Sequence, residues 1–387
     1  MMHRTLTGFV GTRLPVRALV LAGLALAALL LAACGGGGAE EEPPAGIPGA
    51  QEVGTPVPFE PTPTPDPGPP PLDMTAFEVG GQTHQLDDSV IPLLEQSGMT
   101  WVKFQHKWQP GARGSDVAER VIAAHTAGYK VLLSVTGPPF PESIDYAAFI
   151  NFLTEAATYQ PDAIEIWNEQ NFSREWPPGD LSASSYVNNM LAPAYERIKS
   201  VNENIMVISG PPTPTGAFAT CPGEVPGLVG CNDDAYIQEM VAAGAENHMD
   251  CVGIHYNAGA TPPSATSGHP YDEGIATYQW YYQGMVDLYG SVFSKPLCFT
   301  ELGYLTGDGY DPLPETFSFA ADNTIEEHAQ WLGENVALAR DSGKVRLLVV
   351  FNLDFDYYGP DDPQAGYAIL RPDGSCPACA SIAAQVP

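Results

Sequence analysis

Positive charge is scarce in this chain, with 16 Lys and Arg against 46 Asp and Glu in 387 residues and a formal net charge of -30. A surface that acidic repels nucleic acid and anionic lipid headgroups, and it suits a neutral substrate. Phosphate-cradling glycine loops are missing as well. The first strand candidate leads into Gly80-Gly81-Gln82-Thr83, which matches neither the dinucleotide fingerprint nor a P-loop, so an open nucleotide-binding sheet lacks its usual mark. Zinc spacing is lacking too: Cys376 and Cys379 form a C-x-x-C, but no second pair of Cys or His stands at matching distance. Nothing in the pattern requires a metal or a cofactor. The apolar run from Leu19 to Ala33 falls short of the roughly 20 residues that a spanning helix needs.

That run has another reading. Arg4, Arg13 and Arg17 precede it and small residues close it, which is the pattern of a secretory signal over residues 1–33. Its Leu31-Ala32-Ala33-Cys34 ending resembles a bacterial lipoprotein lipobox, which implies a lipid on Cys34 and a mature chain tethered to the membrane outside the cytoplasm. Cleavage by an ordinary signal peptidase would instead leave Cys34 as a spare thiol. Residues 34–71 continue with four glycines, three glutamates and then twelve prolines between Pro43 and Pro71. Such a segment buries too little apolar surface to offset its ordering entropy, so it reads as an extended tether. Residues 72–387 remain, a usual size for one α/β barrel.

In an oxidising compartment Cys221 with Cys231, and Cys376 with Cys379, read as local disulfides because each pair is close in sequence. Cys251 and Cys298 fall on strand candidates and read as buried thiols, with a bond between them as the lesser alternative.

From residue 75 onward, short β-favouring runs alternate with helical patterns. The strand candidates are Ala76 to Val79, Thr100 to Gln105, Lys130 to Val135, Ala163 to Asn168, Ile205 to Ser209, Cys251 to Tyr256, Pro296 to Thr300 and Arg346 to Leu353. Helical patterns fall near 88–97, 115–127, 143–158, 183–202, 234–247, 273–289 and 324–341, several opening at capping residues such as Ser115 or Ser182 and closing near Gly98, Gly128, Gly290 and Gly343. Eight strands in strict alternation with helices predict a parallel sheet closed as a (β/α)8 TIM barrel with a single catalytic domain.

Two glutamates stand where strand runs give way to loops: Glu169 in Trp167-Asn168-Glu169 after the fourth strand and Glu301 in Thr300-Glu301-Leu302-Gly303 after the seventh. Carboxyl groups delivered to one barrel face can form a glycosidase pair, one donating a proton and the other attacking the sugar. Glu165 shares Glu169's side of the strand but lies roughly 13 Å deeper at about 3.3 Å per residue, so it reads as structural and in need of a partner, with Lys103 as one candidate.

With these motifs on the fourth and seventh strands, residues 75 to about 360 resemble the clan A superfamily of retaining glycoside hydrolases. The resemblance implies that Glu169 is the acid/base, Glu301 the nucleophile, and Asn168 the partner of the sugar's 2-hydroxyl. It implies a β-linked carbohydrate substrate and a double displacement. His255, Tyr256 and Asn257 end strand six, where relatives often have His, any residue, then Tyr; here Tyr256 directly follows His255, so either the strand end is bulged or Asn257 takes the donor's place. Lys103 stands where relatives commonly carry Arg, and it lacks Arg's two-pronged hydrogen bonding. Trp108 and Trp176, in loops after strands two and four, are candidates to stack on sugar rings or to pack. Phe351 or Asn352 stands near the usual aromatic platform of strand eight, and Trp280, Tyr281 and Tyr282 read as mid-helix packing. A barrel that kept glycan binding but lost turnover, or one that passes the sugar to another sugar, would carry the same carboxylates.

Overall fold

The computed structural model describes residues 71–272, 277–359 and 362–387; the expected signal over 1–33, the lipid on Cys34 and the tether up to residue 70 lie outside them. Eight parallel strands, β1 Glu78–Gln82, β2 Trp101–Lys107, β3 Lys130–Thr136, β4 Ala163–Ile166, β5 Met206–Ser209, β6 Val252–Gly259, β7 Leu297–Tyr304 and β8 Val345–Val350, alternate with helices. Those helices are α1 Ile91–Ser97, α2 Ala118–Thr126, α3 Tyr146–Ala157, α4 Ala192–Val201, α5 Asp233–Ala242, α6 Tyr282–Val292, α7 Ile325–Ser342 and α8 Pro377–Ala383. Hydrogen-bonded neighbours run β5-β4-β3-β2-β1-β8-β7-β6. The remaining seam closes where Ile208 of β5 bridges to Cys251, with Asp250 N donating to Val207 O at 2.8 Å and Ser209 N donating to Cys251 O at 3.2 Å. Closure there depends on a missing side chain, since a Cβ on Gly253 would sit 2.1 Å from Ser209 O. The fold is a (β/α)8 barrel, as the strand count predicts.

Strand alternation sorts the core into two bodies. Outward residues such as Val102, Leu133, Ile164, Val207, Ile254 and Leu348 join the layer between barrel and helices. Inward residues Trp101, Leu132, Met206, Ile208 and Val349 fill the lower barrel, and Leu72 and Met74 pack against that cluster. The lower interior is therefore mostly apolar, with buried Arg346 lying over the Trp101 ring and paired with Glu78 at the start of β1.

Several boundaries differ from expectation. Strands β6 and β7 run on to Gly259 and Tyr304, because pairing with neighbours carries them past the apolar run that local propensity detects. Ser182 accepts from Ser185 N at 3.1 Å as expected of a cap, but Ser115 lies inside a 3-10 turn, Gly114–Val117, and the helix starts at Ala118. Gly98, Gly128 and Gly343 take positive φ after their helices, whereas Gly290 lies within α6. That helix begins only at Tyr282, after a 3-10 turn over Tyr278–Trp280, so Trp280 and Tyr281 are not mid-helix.

Cys221 is bonded to Cys231 and Cys376 to Cys379, the first pair bracketing a hairpin of Gly223–Val225 and Leu228–Gly230 in the loop after β5. The expectation of buried thiols at Cys251 and Cys298 is corrected: they form a disulfide, with Cα atoms 5.9 Å apart. Both belong to the inner cluster on adjoining strand ends, a proximity set by barrel register and invisible across 47 residues of sequence. Chain-entropy reasoning gives a loop of that length about 4 kcal/mol and the short Cys376–Cys379 loop under about 2 kcal/mol. Denaturant melts should therefore show Cys251→Ala/Cys298→Ala losing clearly more stability than Cys376→Ala/Cys379→Ala; equal losses would contradict this ordering.

Candidate active site

Strand β4 stops at Ile166 because the chain then turns into backbone that L-residues avoid, with φ of 76° at Trp167 and 46° at Glu169. Left-handed non-glycine residues cost on the order of 1–3 kcal/mol each and persist only where the surroundings over-determine them. Here Trp167 N donates to Val135 O at 2.9 Å and Glu169 N donates to Pro211 O at 2.9 Å. The Trp167 indole is held edge-on against Phe149 and Trp176, and its Nε1 donates to Glu175 O at 2.8 Å.

A different device delivers Glu301. Ile254 pairs with Phe299 and His255 pairs with Glu301, so Thr300 is an extra residue on β7. Phe299 and Leu302 both join the outer layer, and the bulge between them lets two consecutive residues turn away from it. Glu301 thereby sits within a longer strand yet faces the barrel mouth.

The Glu301 carboxylate is held at both oxygens. Lys103 Nζ donates to Oε1 at 3.0 Å and to Thr300 O at 3.1 Å, and Asn257 Nδ2 donates to Oε2 at 3.1 Å. Asn257 is itself fixed, its carbonyl accepting from Tyr367 OH at 2.8 Å. His255 Nδ1 lies 3.1 Å from Glu169 Oε1 and 3.7 Å from Glu301 Oε2, so one imidazole nitrogen spans the pair. Those two oxygens are no further apart than the two distances added together. The two carboxyl groups therefore share one site at the barrel mouth. Burial pushes the Glu301 carboxyl upward, but the charges of His255 and Lys103 and the hydrogen bonds from Lys103 and Asn257 outweigh it and hold the carboxyl below its ordinary value. Burial depresses His255, yet the facing Glu301 and Glu169 carboxylates outweigh that and raise it.

Beneath the pair, Glu165 lies fully buried with Oε2 3.6 Å from Lys103 Nζ, the interior partner anticipated for it. Neither Glu165 oxygen has a hydrogen-bond partner among the described residues, so its charge is answered by Lys103 at ion-pair distance.

A cleft of about 660 Å³ opens above, lined by Gln82, Gln105, Asn168, Glu169, Glu301 and Phe351 among others. Asn168 is buried with Oδ1 unpartnered among the described residues. Of the two readings open to Trp108 and Trp176 the structure takes packing, and Tyr256 meets only the wall of a smaller cavity beside Glu169. Trp108 packs edge-on against Phe149, and Trp176 sits between Trp167 and Tyr186 with Nε1 donating to Asp180 O at 3.0 Å; neither lines the cleft, because their faces are used in the layer around the barrel. Tyr256 points outward, its hydroxyl donating to Trp280 O at 3.1 Å and its ring edge-on to Tyr282 and Tyr304, while Asn257 supplies the hydrogen bond to Glu301. Asn352 is tied to Gln364 O and Phe355 N, leaving Phe351 as the cleft residue of that pair.

The sequence reading missed Glu175, Gln279, Trp280 and Phe317. Burial, with the Glu169 charge second, pushes the Glu175 carboxyl well above its ordinary value. Gln279, Trp280 and Phe317 line a small cavity on the far side of Glu169. One signal was present for Trp280: Trp280, Tyr281 and Tyr282 are consecutive, and helical neighbours at i and i+1 do not share a face, so a helix running through all three could not turn them all to the barrel.

No protein-family profile matches the chain, and no curated protein matches it in sequence. Solved structures are similar in fold. A family 39 glycoside hydrolase from the gut symbiont Bacteroides cellulosilyticus WH2 is 20% identical with a TM-score of 0.51, over 82% of this chain and 65% of that one, so the chain spans less than two thirds of that protein's length. The GH53 catalytic domain of Ignisphaera aggregans is 15% identical with a TM-score of 0.54, over 84% and 99% of the two chains. A Bacteroidetes-affiliated GH5 cellulase linked with a polysaccharide utilization locus is 15% identical with a TM-score of 0.51, over 81% and 91%.

Replacing Lys103 by Met leaves two buried carboxylates without their cation, and stability falls by about 3–5 kcal/mol. Glu301's depressed value contributes stability that is present above its unfolded value and lost as pH falls through the folded one; without Lys103 that window moves to higher pH. Adding Glu165→Leu should recover much of the stability in urea melts at neutral pH while Glu301 still titrates higher. A double variant no more stable than Lys103→Met would refute the pairing.

Proposed function

We propose that this chain is a retaining glycoside hydrolase that cleaves β-glycosidic bonds of an oligosaccharide or polysaccharide, with Glu301 as nucleophile and Glu169 as acid/base. The observation that carries this reading is the unequal treatment of two neighbouring carboxyl groups: Glu301 accepts from Lys103 and Asn257, whereas the Glu169 carboxyl meets the His255 imidazole. Lys103 is a fixed cation with no exchangeable role of its own, which suits Glu301 to attack, whereas the partner of Glu169 is an imidazole that can itself lose its proton, which suits Glu169 to carry one. The fold likeness to proteins described as glycoside hydrolases supports the same reading, although a barrel hosts many chemistries and the site must carry the argument.

In the first step a Glu301 oxygen bonds the anomeric carbon as the carbon–oxygen bond to the leaving group breaks, its electron pair taking the proton of Glu169. Asn168 Oδ1, without a partner among the described residues, accepts from the sugar's 2-hydroxyl. In the second step Glu169 removes a proton from water, the water oxygen bonds the anomeric carbon, and the electron pair of the ester returns to Glu301. Two inversions give net retention.

We further place the mature protein outside the cytoplasm, held by a lipid on Cys34. Three disulfides among the described residues support an oxidising compartment.

Loss of general acid catalysis is worth about 10²–10⁴-fold. Glu169→Gln should lose that much kcat/KM on natural glycans and far less on dinitrophenyl glycosides, whose leaving oxygen needs no proton. Glu301→Gln should lose turnover on both, with folding intact by circular dichroism. Proton NMR should find the β-anomer released first; an α-anomer, or wild-type rates in either variant, would overturn the assignment.

A further inference from the structure

Basic side chains are scarce in this chain, yet two of them stand together in the cleft. From Glu169 and Glu301 the cavity of about 660 Å³ extends over the ends of β1 and β2 to α2, where Lys107 and Arg120 line it. Arg120 is half-buried. Among the described residues its polar contacts are the Gln105 carbonyl, which accepts from Nη1 at 3.4 Å, and His106 Nδ1, 3.4 Å from Nη2. Both are long, and a guanidinium carries five N–H donors, so most of its capacity is left for the cleft.

Surroundings other than an ion pair hold Arg120 in place. It stands in the first turns of α2, beside a His106 ring stacked on Phe152 with centroids 5.0 Å apart. Burial pushes its guanidinium below the ordinary value, and among the described residues no carboxylate lies at ion-pair distance to answer the charge. Acids outnumber bases 46 to 16 in this chain, and Arg113, Arg340 and Arg346 each pair with one. A partly desolvated charge left without a partner carries a cost that an anionic ligand would offset.

The two acids on the same arm of the cleft do not fill that place. Asp116 Oδ2 accepts from Arg113 N at 2.9 Å, and Asp116 and Glu119 are both exposed, where salt screens a charge over about 8–10 Å. Lys107, also exposed, adds a second cation. Burial and the charges of Arg120 and Lys107 outweigh that of Asp356 and hold His84 below its ordinary value, so both cations act on the wall that His84 forms by stacking on Phe355 at 4.0 Å. At the end of β1, Gln82 Oε1 is buried and unpartnered among the described residues and belongs to the same cavity. A ring face, an open acceptor for a hydroxyl and a guanidinium fork are what a sugar with an anionic group requires.

We propose that the cleft takes an acidic glycan: a ring beyond the one that meets Glu301 carries a carboxylate or a sulfate ester, and Arg120 pairs with it, with Lys107 as the second cation. This rests on the glycosidase reading and deepens it by naming the substrate class. The charge of the whole chain suits a neutral substrate. This arm of the cleft reverses that locally.

The test compares short β-linked chains of glucose, mannose and galactose with the same chains carrying, at each ring in turn, a C6 carboxylate or a C6 sulfate. In wild-type kcat/KM the best anionic chain should exceed its neutral counterpart about tenfold, the equivalent of about 1.4 kcal/mol, and the arm that gains tells carboxylate from sulfate. Arg120→Gln should remove that ratio, Arg120→Lys should keep part of it because the charge stays while the fork is lost, and Lys107→Gln should lower it by a smaller factor. Raising NaCl from about 0.05 to about 0.5 M should shrink the wild-type ratio several-fold, which reads the same pairing without a substitution. A ratio of one or less in every series, or a ratio that survives in an Arg120→Gln variant folded by circular dichroism, would overturn the proposal. Calorimetric titration of Glu301→Gln with the same chains separates the two readings: anionic preference in binding, with no turnover of any chain by the wild type, would overturn the glycosidase reading and leave the anion site standing.

Discussion

The buried ammonium of Lys103 is the interaction on which the upper barrel depends. It joins β2 to β4 through Glu165 and to β7 through Glu301 and Thr300 O, so three strands of the mouth share one cation. A buried carboxylate without a partner carries a desolvation penalty of several kcal/mol, and here two carboxylates would bear it. Their mutual repulsion would add to it. With Lys103 between them, a charged nucleophile candidate can sit just above an apolar floor of Trp101, Leu132 and Val349.

That cation also sets the difference between the two upper glutamates. They are the same residue type at the same end of the same barrel, and both touch His255. What separates them is how each is delivered: Glu301 by a bulge that turns it toward Lys103 and Asn257, Glu169 by a left-handed backbone clamped around the Trp167 indole. A β-bulge and a strained strand end are both local departures from regular geometry held in place by packing. The cost at the end of β4 is offset by the aromatic layer of Phe149, Trp167, Trp176 and Tyr186, whose rings meet edge to face. Trp108 belongs to that layer as well, which is why its face and that of Trp176 do not reach the cleft.

Features of short range or simple period were legible in the chain. The eight β-favouring runs, the placement of Glu169 and Glu301 after the fourth and seventh, the need of Glu165 for an interior partner and the two local disulfides all follow from spacing along the chain. Other features needed coordinates. The Cys251–Cys298 bond joins strand ends that only barrel register brings side by side. The outward turn of Tyr256 and the takeover by Asn257 follow from which face of β6 meets the bulge on β7, and a one-residue change of register reverses every side chain on a strand.

By itself the sequence determined the kind of object this is: an alternation of strands and helices whose periods permit a closed parallel barrel, with acidic residues at two of its strand ends. Periodicity is a local property, so it survives without knowledge of the rest of the chain. The tertiary structure alone decided which carboxylate receives the cation and which aromatics are spent on packing. Those outcomes arise from contacts between residues up to some two hundred positions apart, such as Lys103 with Glu301, and no local pattern encodes the distances on which charge, burial and cavity size depend.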